Sequence, residues 1–378
     1  MQKKVTIFVL LVVILVSTAC SFTATATPTQ SPATEAPTVA STPTSTSYSI
    51  TDAMGRTITF EKVPERIVIV GKALFMVADA VYTFPNVSDR IIATGSTSQS
   101  QGNFIPLIDP NAAAKATLTG DTVGPEQIAA ANPDLVILKS SNSEKLGAPL
   151  EALGIPVVYV DFETPEQYTR DLTTLGQLFQ NETRAQEVAK FYTGKVASIT
   201  SITSKLTDDQ KPSVLVIYYN EKDGEVAFNV PPMSWIQTTE VIDAGGNPIW
   251  KGAELGNGWT KVTIEQIAAW NPDVVFIVSY FKPIGDVITA LKADPQWSEL
   301  KAVKGGKLYG FATDVFSWDQ ADTRWILGLT WMAGKLHPDL FPNLDIKQEA
   351  QNFYQTLYGM NSAAFESKIV PLFAGDLP

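Results

Sequence analysis

The sequence predicts an α/β protein: two similar α/β lobes with parallel-rich sheets, joined by a single long interlobe helix. Three observations lead there. Glu126-Gln-Ile-Ala-Ala-Ala-Asn-Pro-Asp134 returns 139 positions later as Glu265-Gln-Ile-Ala-Ala-Trp-Asn-Pro-Asp273, with only Ala131 and Trp270 different. Each copy runs into a short apolar stretch, Leu135–Leu138 or Val274–Val278. Proline cannot continue a helix and turns the Asn before it out of the helical region, so each copy reads as helix, turn and buried strand. Between the copies, Glu182 to Leu206 carries apolar residues at every third or fourth place: Ala185, Val188, Ala189, Tyr192, Val196, Ile199, Ile202 and Leu206. That period marks an amphipathic helix of about 25 residues and roughly 40 Å. It suits a strut between lobes; a long surface helix of one lobe is the alternative, and periodicity does not separate the two.

The elements follow in order. Lys3 and Lys4 precede the apolar run Val5–Val16, then Ser17-Thr-Ala-Cys20. A basic start, a short apolar stretch and small residues describe an export signal, and the run is shorter than the roughly 20 residues of a membrane-spanning helix. Cys20 is the chain's only cysteine. Residues 1–20 resemble a bacterial lipoprotein signal, which implies lipidation at Cys20, although Ser17 stands where that signal has Leu or Val. An ordinary secretory signal is the alternative reading. Residues 21–47, almost entirely Thr, Ser, Pro and Ala, read as a disordered tether. An N-terminal lobe is assigned to 48–165, a helical connector to 166–206 and a C-terminal lobe to 207–378. Tyr48–Phe60 reads as a strand pair around Met54-Gly55. Strands are expected at 67–70, 91–93, 135–138 and 156–160, then at 213–219, 274–278 and 307–311. A helical stretch from Pro165 breaks at Asn181-Glu-Thr, and terminal helices cover 323–336 and 346–358.

Charge and cysteine usage narrow the class. The formal charge is −11, and −13 once Lys3 and Lys4 are removed. An acidic chain without a Lys/Arg cluster excludes nucleic acid as a partner. One cysteine allows no internal disulfide.

Thr51-Asp-Ala-Met-Gly-Arg-Thr-Ile-Thr59 with Pro64-Glu-Arg-Ile-Val68 resembles the opening of the substrate-binding proteins of ABC importers for iron–siderophore, haem and cobalamin. Both copies of the repeat, Gly245-Gly-Asn247, Gly258-Trp-Thr260 and Trp297-Ser-Glu-Leu300 through Lys307-Leu-Tyr309 match that family in its order. The resemblance covers roughly residues 48–360. It implies two lobes on one long helix, a shallow cleft, modest closure, and a membrane permease and ATPase as partners. A monomeric, extracytoplasmic receptor with no cofactor of its own and no catalysis is expected, and the signal ending at Cys20 implies a lipid anchor that holds it at the membrane. The ligand so implied is a metal chelate of the ferric siderophore type; cobalamin, haem and an oxyanion such as molybdate are the alternatives within the family.

Ligands of open α/β lobes bind at loops after the strand C-terminal ends. In the first lobe these carry Lys72, Ser98, Gln101, Lys139 and Ser140; in the second they carry Tyr219, Tyr280, Trp318 and, at a helix start, Arg324. Trp235 and Trp259 lie on connecting segments and complete the expected ligand-binding set. Aromatic faces with a few polar anchors suit a bulky chelate, and Lys72, Lys139 and Arg324 suit its negative charge. Each has a plainer reading: strand-end lysines are often solvated, Trp318 and Tyr280 can be core, and Arg324 can pair with Asp322. Trp325 and Trp331 sit on helical spacing and are expected in the core. No metal site of the protein's own is expected: the single histidine, His337, precedes a proline near a helix end and cannot make a multi-histidine site. Glu126 and Glu265 stand at equivalent helix starts and are read as complements of the helix dipole. A nucleophile elbow, a credible Ser/His/Asp set and a phosphate loop are all missing from the sequence. A carboxylate-pair hydrolase and an inert surface adhesin are the rival classes.

Overall fold

The computed structural model describes residues 47–96, 102–118, 123–253 and 256–377. β1 (Tyr48–Thr51) and β2 (Thr57–Phe60) form an antiparallel pair. Its turn is closed by the Asp52 carboxylate, which accepts from the N–H groups of Met54 and Arg56, and Gly55 supplies a φ of 75°. β3 (Ile67–Ile69), β4 (Ile91–Gly95), β5 (Ala116–Leu118), β6 (Leu135–Lys139) and β7 (Val157–Val160) build an all-parallel sheet in the order β5-β4-β3-β6-β7. β3, β6 and β7 are buried along their whole length, as unbroken Ile/Val/Leu runs require.

The second sheet holds β8 (Ser213–Lys222), β9 (Glu225–Val230), β10 (Asn247–Pro248), β11 (Thr260–Val262), β12 (Val274–Val278) and β13 (Leu308–Gly310). Its order is β11-β9-β8-β12-β13, with β10 beside β8. β8, β12 and β13 run parallel, while β9 runs antiparallel to both β8 and β11. The sequence predicts a single strand over 213–219, and the structure has a hairpin of β8 and β9. The hairpin turns on Asp223-Gly224, whose φ angles of 54° and 83° are both positive, and Asp-Gly is the dipeptide that favours such a turn.

The repeat does the same work twice. Asp134 accepts from the backbone N–H of Glu65 and Arg66 at the start of β3. Asp273 accepts from the N–H and the hydroxyl of Ser213 at the start of β8. Asn132 and Asn271 take φ angles of 52° and 42° to make the turn, a region Asn tolerates better than most residues. Gln127 and Gln266 accept from the backbone N–H of Gly124 and Thr263, capping both helices. The repeat is therefore a device for joining a helix to a central strand and locking the neighbouring strand's register.

The helical stretch breaks where the sequence places the break, into Pro165–Leu178 and Glu182–Thr203. Asn181 caps the second helix by accepting from Arg184 N–H. This 22-residue helix is about 33 Å long. Near its start Arg184 donates to Thr83 O in the first half; near its end Thr203 donates to Asp243 O in the second.

Arg324 ties the halves together. It is fully buried. Its Nη1 donates to Asp79 at 2.6 Å and Asp322 at 2.9 Å, and its Nε donates to Asp314 at 2.8 Å and to the Tyr354 hydroxyl at 3.0 Å. Asp79 lies on the helix Leu74–Val81 of the first half. The guanidinium also lies 4.2 Å from the centroid of the Phe104 ring, and Phe75 stacks on Phe316 at 4.6 Å. Tyr168 and Tyr192 donate to the carbonyls of Ala321 and Thr323, and Tyr358 donates to Asp79 O.

One guanidinium cannot neutralise three buried carboxylates. Burial pushes Asp79 up to about 6 and Asp322 up to about 8, against the pull of Arg324. Both values lie above the ordinary 3.8, so the folded state holds these protons more tightly than the unfolded chain. The stability they contribute is full below about pH 4 and is lost as pH rises through 6 and 8. The urea midpoint of residues 47–378 should therefore fall between pH 5 and pH 8; a rise over that range contradicts the reading. Removing the cation while leaving its carboxylates costs about 3–5 kcal/mol for a buried pair. Arg324→Met should lower the unfolding free energy by that amount in urea titrations at pH 7, and a loss under about 1 kcal/mol would contradict the hub.

Candidate functional site

A cavity of about 880 Å³ opens where strand ends of both sheets meet. The first half contributes Gly71, Lys72 and Ala73 after β3, then Ser141, Asn142 and Lys145 after β6. Lys139 at the end of β6, Leu146, Glu163 after β7, Met76 and the helix start at Val123–Pro125 complete that side. The second half contributes Trp235, Ile236 and Gln237 at the start of the helix Ile236–Asp243, with Trp259, Tyr280, Gln320 and Ala321.

The lip after β3 is held in an unusual backbone shape. Gly71 has φ 99° and Ala73 has φ 58°. Asn142 fixes the segment by accepting from Lys72 N–H at 3.1 Å. A Cβ at Gly71 would stand 3.0 Å from the Asn142 side chain, so both conformation and space call for glycine. Lys72 and Lys145 are exposed. Lys139 is buried and pairs with Glu163, and it also reaches Met76 Sδ at 3.2 Å. Glu163 follows a strained turn: Phe162, fully buried, has φ 55°. Asp171 stabilises that turn by accepting from the N–H groups of Asp161 and Phe162 at 2.7 and 2.9 Å.

The opposite wall is aromatic. Trp235 meets Trp259 edge-on at 5.6 Å, Trp259 meets Tyr218 at 5.2 Å, and Tyr218 meets Tyr280 at 4.7 Å. Tyr280 donates to Asp319 at 2.7 Å, and Gln237 donates to the same oxygen at 3.2 Å. Burial pushes Asp319 up to about 6, opposed by hydrogen bonds from Ser317, Tyr280 and Gln237. Beneath this wall Glu240 is buried beside Gly328, whose missing Cβ leaves room for the carboxyl. Burial, with Asp319 and Asp322 nearby, pushes Glu240 well above the ordinary carboxylate range. Among the described residues, both its oxygens, Gln237 Oε1, Asp319 Oδ1 and Gln320 Nε2 are buried without partners.

The cavity brings together five of the residues selected from sequence: Lys72, Lys139, Trp235, Trp259 and Tyr280. Four others stand elsewhere. Ser140 turns aside to donate to Asp161, while its neighbours Ser141 and Asn142 face the cavity. Tyr219 faces the other side of β8, donating to Glu221 and packing edge-on against Phe228; Tyr218, one place earlier, joins the aromatic wall. Trp318 is fully buried, donates to Asp314 at 3.0 Å and packs edge-on to Phe373. Arg324 is the interface hub. Ser98, Gln101 and Cys20 lie outside the described residues. Met76, Asn142, Lys145, Glu163, Gln237 and Gln320 were missed; extending the strand-end rule past β7 would have reached Glu163. His337 interacts with Gly245 O at 3.1 Å and does not line the cavity. Among the described residues no cluster of three or more His, Cys, Asp or Glu is placed to hold a metal.

Two α/β halves with a cavity at their facing strand ends define a solute-binding protein. Residues 70–314 match the sequence profile described as periplasmic binding protein, and the chain belongs to that family. It is similar to the molybdate-binding protein MolA of Haemophilus influenzae, 21% identical over 82% of this chain and 90% of that one. It is also similar to a vitamin B12-binding protein of Vibrio parahaemolyticus, 24% identical over 50% of this chain and 64% of that one. The fold matches a periplasmic solute binding protein of Veillonella parvula with a TM-score of 0.69 and 22% identity, covering 86% of this chain and 98% of the other. The protein is thus an extracytoplasmic solute-binding protein of ABC-transporter type, and not an enzyme. The hydrolase alternative falls with that assignment.

Gly71→Ala tests the lip. It should cost about 1–3 kcal/mol in urea unfolding, because the new side chain meets Asn142 in a left-handed backbone. A cost below about 0.5 kcal/mol would show the lip to be unstrained.

Proposed function

We propose that this chain is a lipid-anchored receptor that captures a bulky, negatively charged metal chelate of the ferric siderophore type and delivers it to an ABC permease and its ATPase. The observation that carries the reading is the cavity itself: about 880 Å³, with lysines on one wall and a continuous aromatic face on the other. Lysine ammonium groups meet the chelate's charge, and rings cover its apolar or planar parts. Lys72, Lys139 and Lys145 serve the first role, Trp235, Trp259 and Tyr280 the second. The metal arrives as cargo, inside the chelate.

The relative named for molybdate favours an oxyanion instead. A tetrahedral oxyanion would fill only a small part of this cavity and would leave the aromatic wall uncovered. The Lys72 N–H, a natural oxyanion donor, is already committed to Asn142. Haem ligated by the protein's histidine is disfavoured, because His337 stands away from the cavity. Cobalamin is bulky enough, but lacks the negative charge that three lysines would meet. In this reading Cys20 carries the lipid, residues 21–47 are the tether, and the receptor works as a monomer. The helix Glu182–Thr203 acts as the strut about which the halves make small adjustments.

Tryptophan fluorescence of residues 47–378 tests the ligand class. The titrants are the trianionic ferric tris-catecholate complex, a neutral ferric trihydroxamate, haemin, cobalamin and molybdate. The expected result is saturable quenching by a ferric chelate, with affinity reduced about three- to tenfold in Trp259→Ala. A response to molybdate alone, unchanged in Trp259→Ala, would overturn the chelate reading.

A further inference from the structure

The proposed ligand is an anion, yet the most deeply placed lysine of the cavity already has one. The Lys139 side chain is 5% exposed and its ammonium group pairs with Glu163, whose own side chain is 40% exposed. Both residues line the cavity. The Glu163 backbone is held firmly: its N–H donates to Gln167 at 2.8 Å, and the preceding Phe162 is clamped in its left-handed conformation by Asp171. A strained, doubly anchored turn therefore delivers one carboxylate to one buried ammonium. Strain of this kind persists where the surrounding structure insists on a geometry.

We infer that Glu163 is a displaceable counter-ion that filters ligands by charge. In the empty cavity it neutralises Lys139, which would otherwise be a desolvated cation facing Met76. A ligand carrying an anionic group takes over the Lys139 ammonium, and the Glu163 carboxylate rotates into water without any backbone movement. A neutral ligand of the same size offers nothing to exchange and leaves the pair closed. Discrimination then comes from a built-in competitor as well as from attraction. This rests on the chelate reading above and adds to it the ligand property being selected, negative charge at the point that meets Lys139.

The experiment compares wild type, Glu163→Gln, Lys139→Met and the double variant by calorimetric titration. The probes are ferric tris-catecholate and a neutral ferric trihydroxamate of similar size. Removing the competing carboxylate should tighten tris-catecholate binding about tenfold and leave trihydroxamate binding within about twofold. In the Lys139→Met background the same Glu163→Gln change should leave trihydroxamate binding unchanged and tighten tris-catecholate binding by less than about threefold, because only direct repulsion by the carboxylate remains to be relieved. Equal tris-catecholate affinities in wild type and Glu163→Gln overturn the filter and leave the chelate reading intact. An equal gain for both probes also overturns it, showing that Glu163 merely obstructs the cavity. Failure of all four proteins to bind either probe overturns the chelate reading and the filter together.

Discussion

The structure depends on one buried cation. Arg324 reaches across the interface between the two halves to Asp79, and on its own side it gathers Asp314, Asp322 and Tyr354. In water such pairs add little; here every partner is desolvated, so an unmatched charge would cost several kcal/mol. That penalty makes the arrangement close to all-or-none. The halves cannot slide apart by a few ångströms without exposing or orphaning a charge. Phe75 on Phe316 and the hydroxyls of Tyr168, Tyr192 and Tyr358 add apolar and polar contacts around the same point. A cavity defined by loops from both halves therefore has its shape before any ligand arrives.

The cavity repeats this logic on a smaller scale. Three of its charged and polar groups are placed by neighbours that already satisfy them: Lys139 by Glu163, Tyr280 by Asp319, Lys72 N–H by Asn142. Small shape changes in the backbone, at Gly71, Ala73 and Phe162, aim those groups. Preorganisation of this sort lowers the ordering cost of binding and sharpens selection among ligands. Glu240, Gln237 and Gln320 add buried polar atoms that have no partner among the described residues.

Much of this was legible in the chain. The repeat gave two halves, and the reason is now physical: Asp134 and Asp273 each cap the start of a central strand. Apolar runs located the parallel strands because a strand buried on both faces must be apolar throughout. The strand-end rule reached Lys72, Lys139 and Tyr280, whose positions follow from topology alone. At Tyr219 it took the face of β8 turned away from the aromatic cluster that Tyr218 joins, because successive residues of a strand face opposite ways and the sequence does not say which face meets the rings. It failed at Trp318 and Arg324 because both follow a strand yet are buried by segments distant in sequence, Phe373 for one and Asp79 for the other. The same limit hid Gln237, a buried polar residue whose hydrogen-bond partner Asp319 lies 82 positions away in sequence.

Small-angle scattering of residues 47–378, with and without saturating ferric tris-catecholate, tests the central claim that the Arg324 hub sets the cavity in advance. The account predicts a change in radius of gyration below about 1 Å, as in pre-organised complexes. A contraction of about 2 Å or more on binding would show the halves to be free hinged bodies and would contradict it.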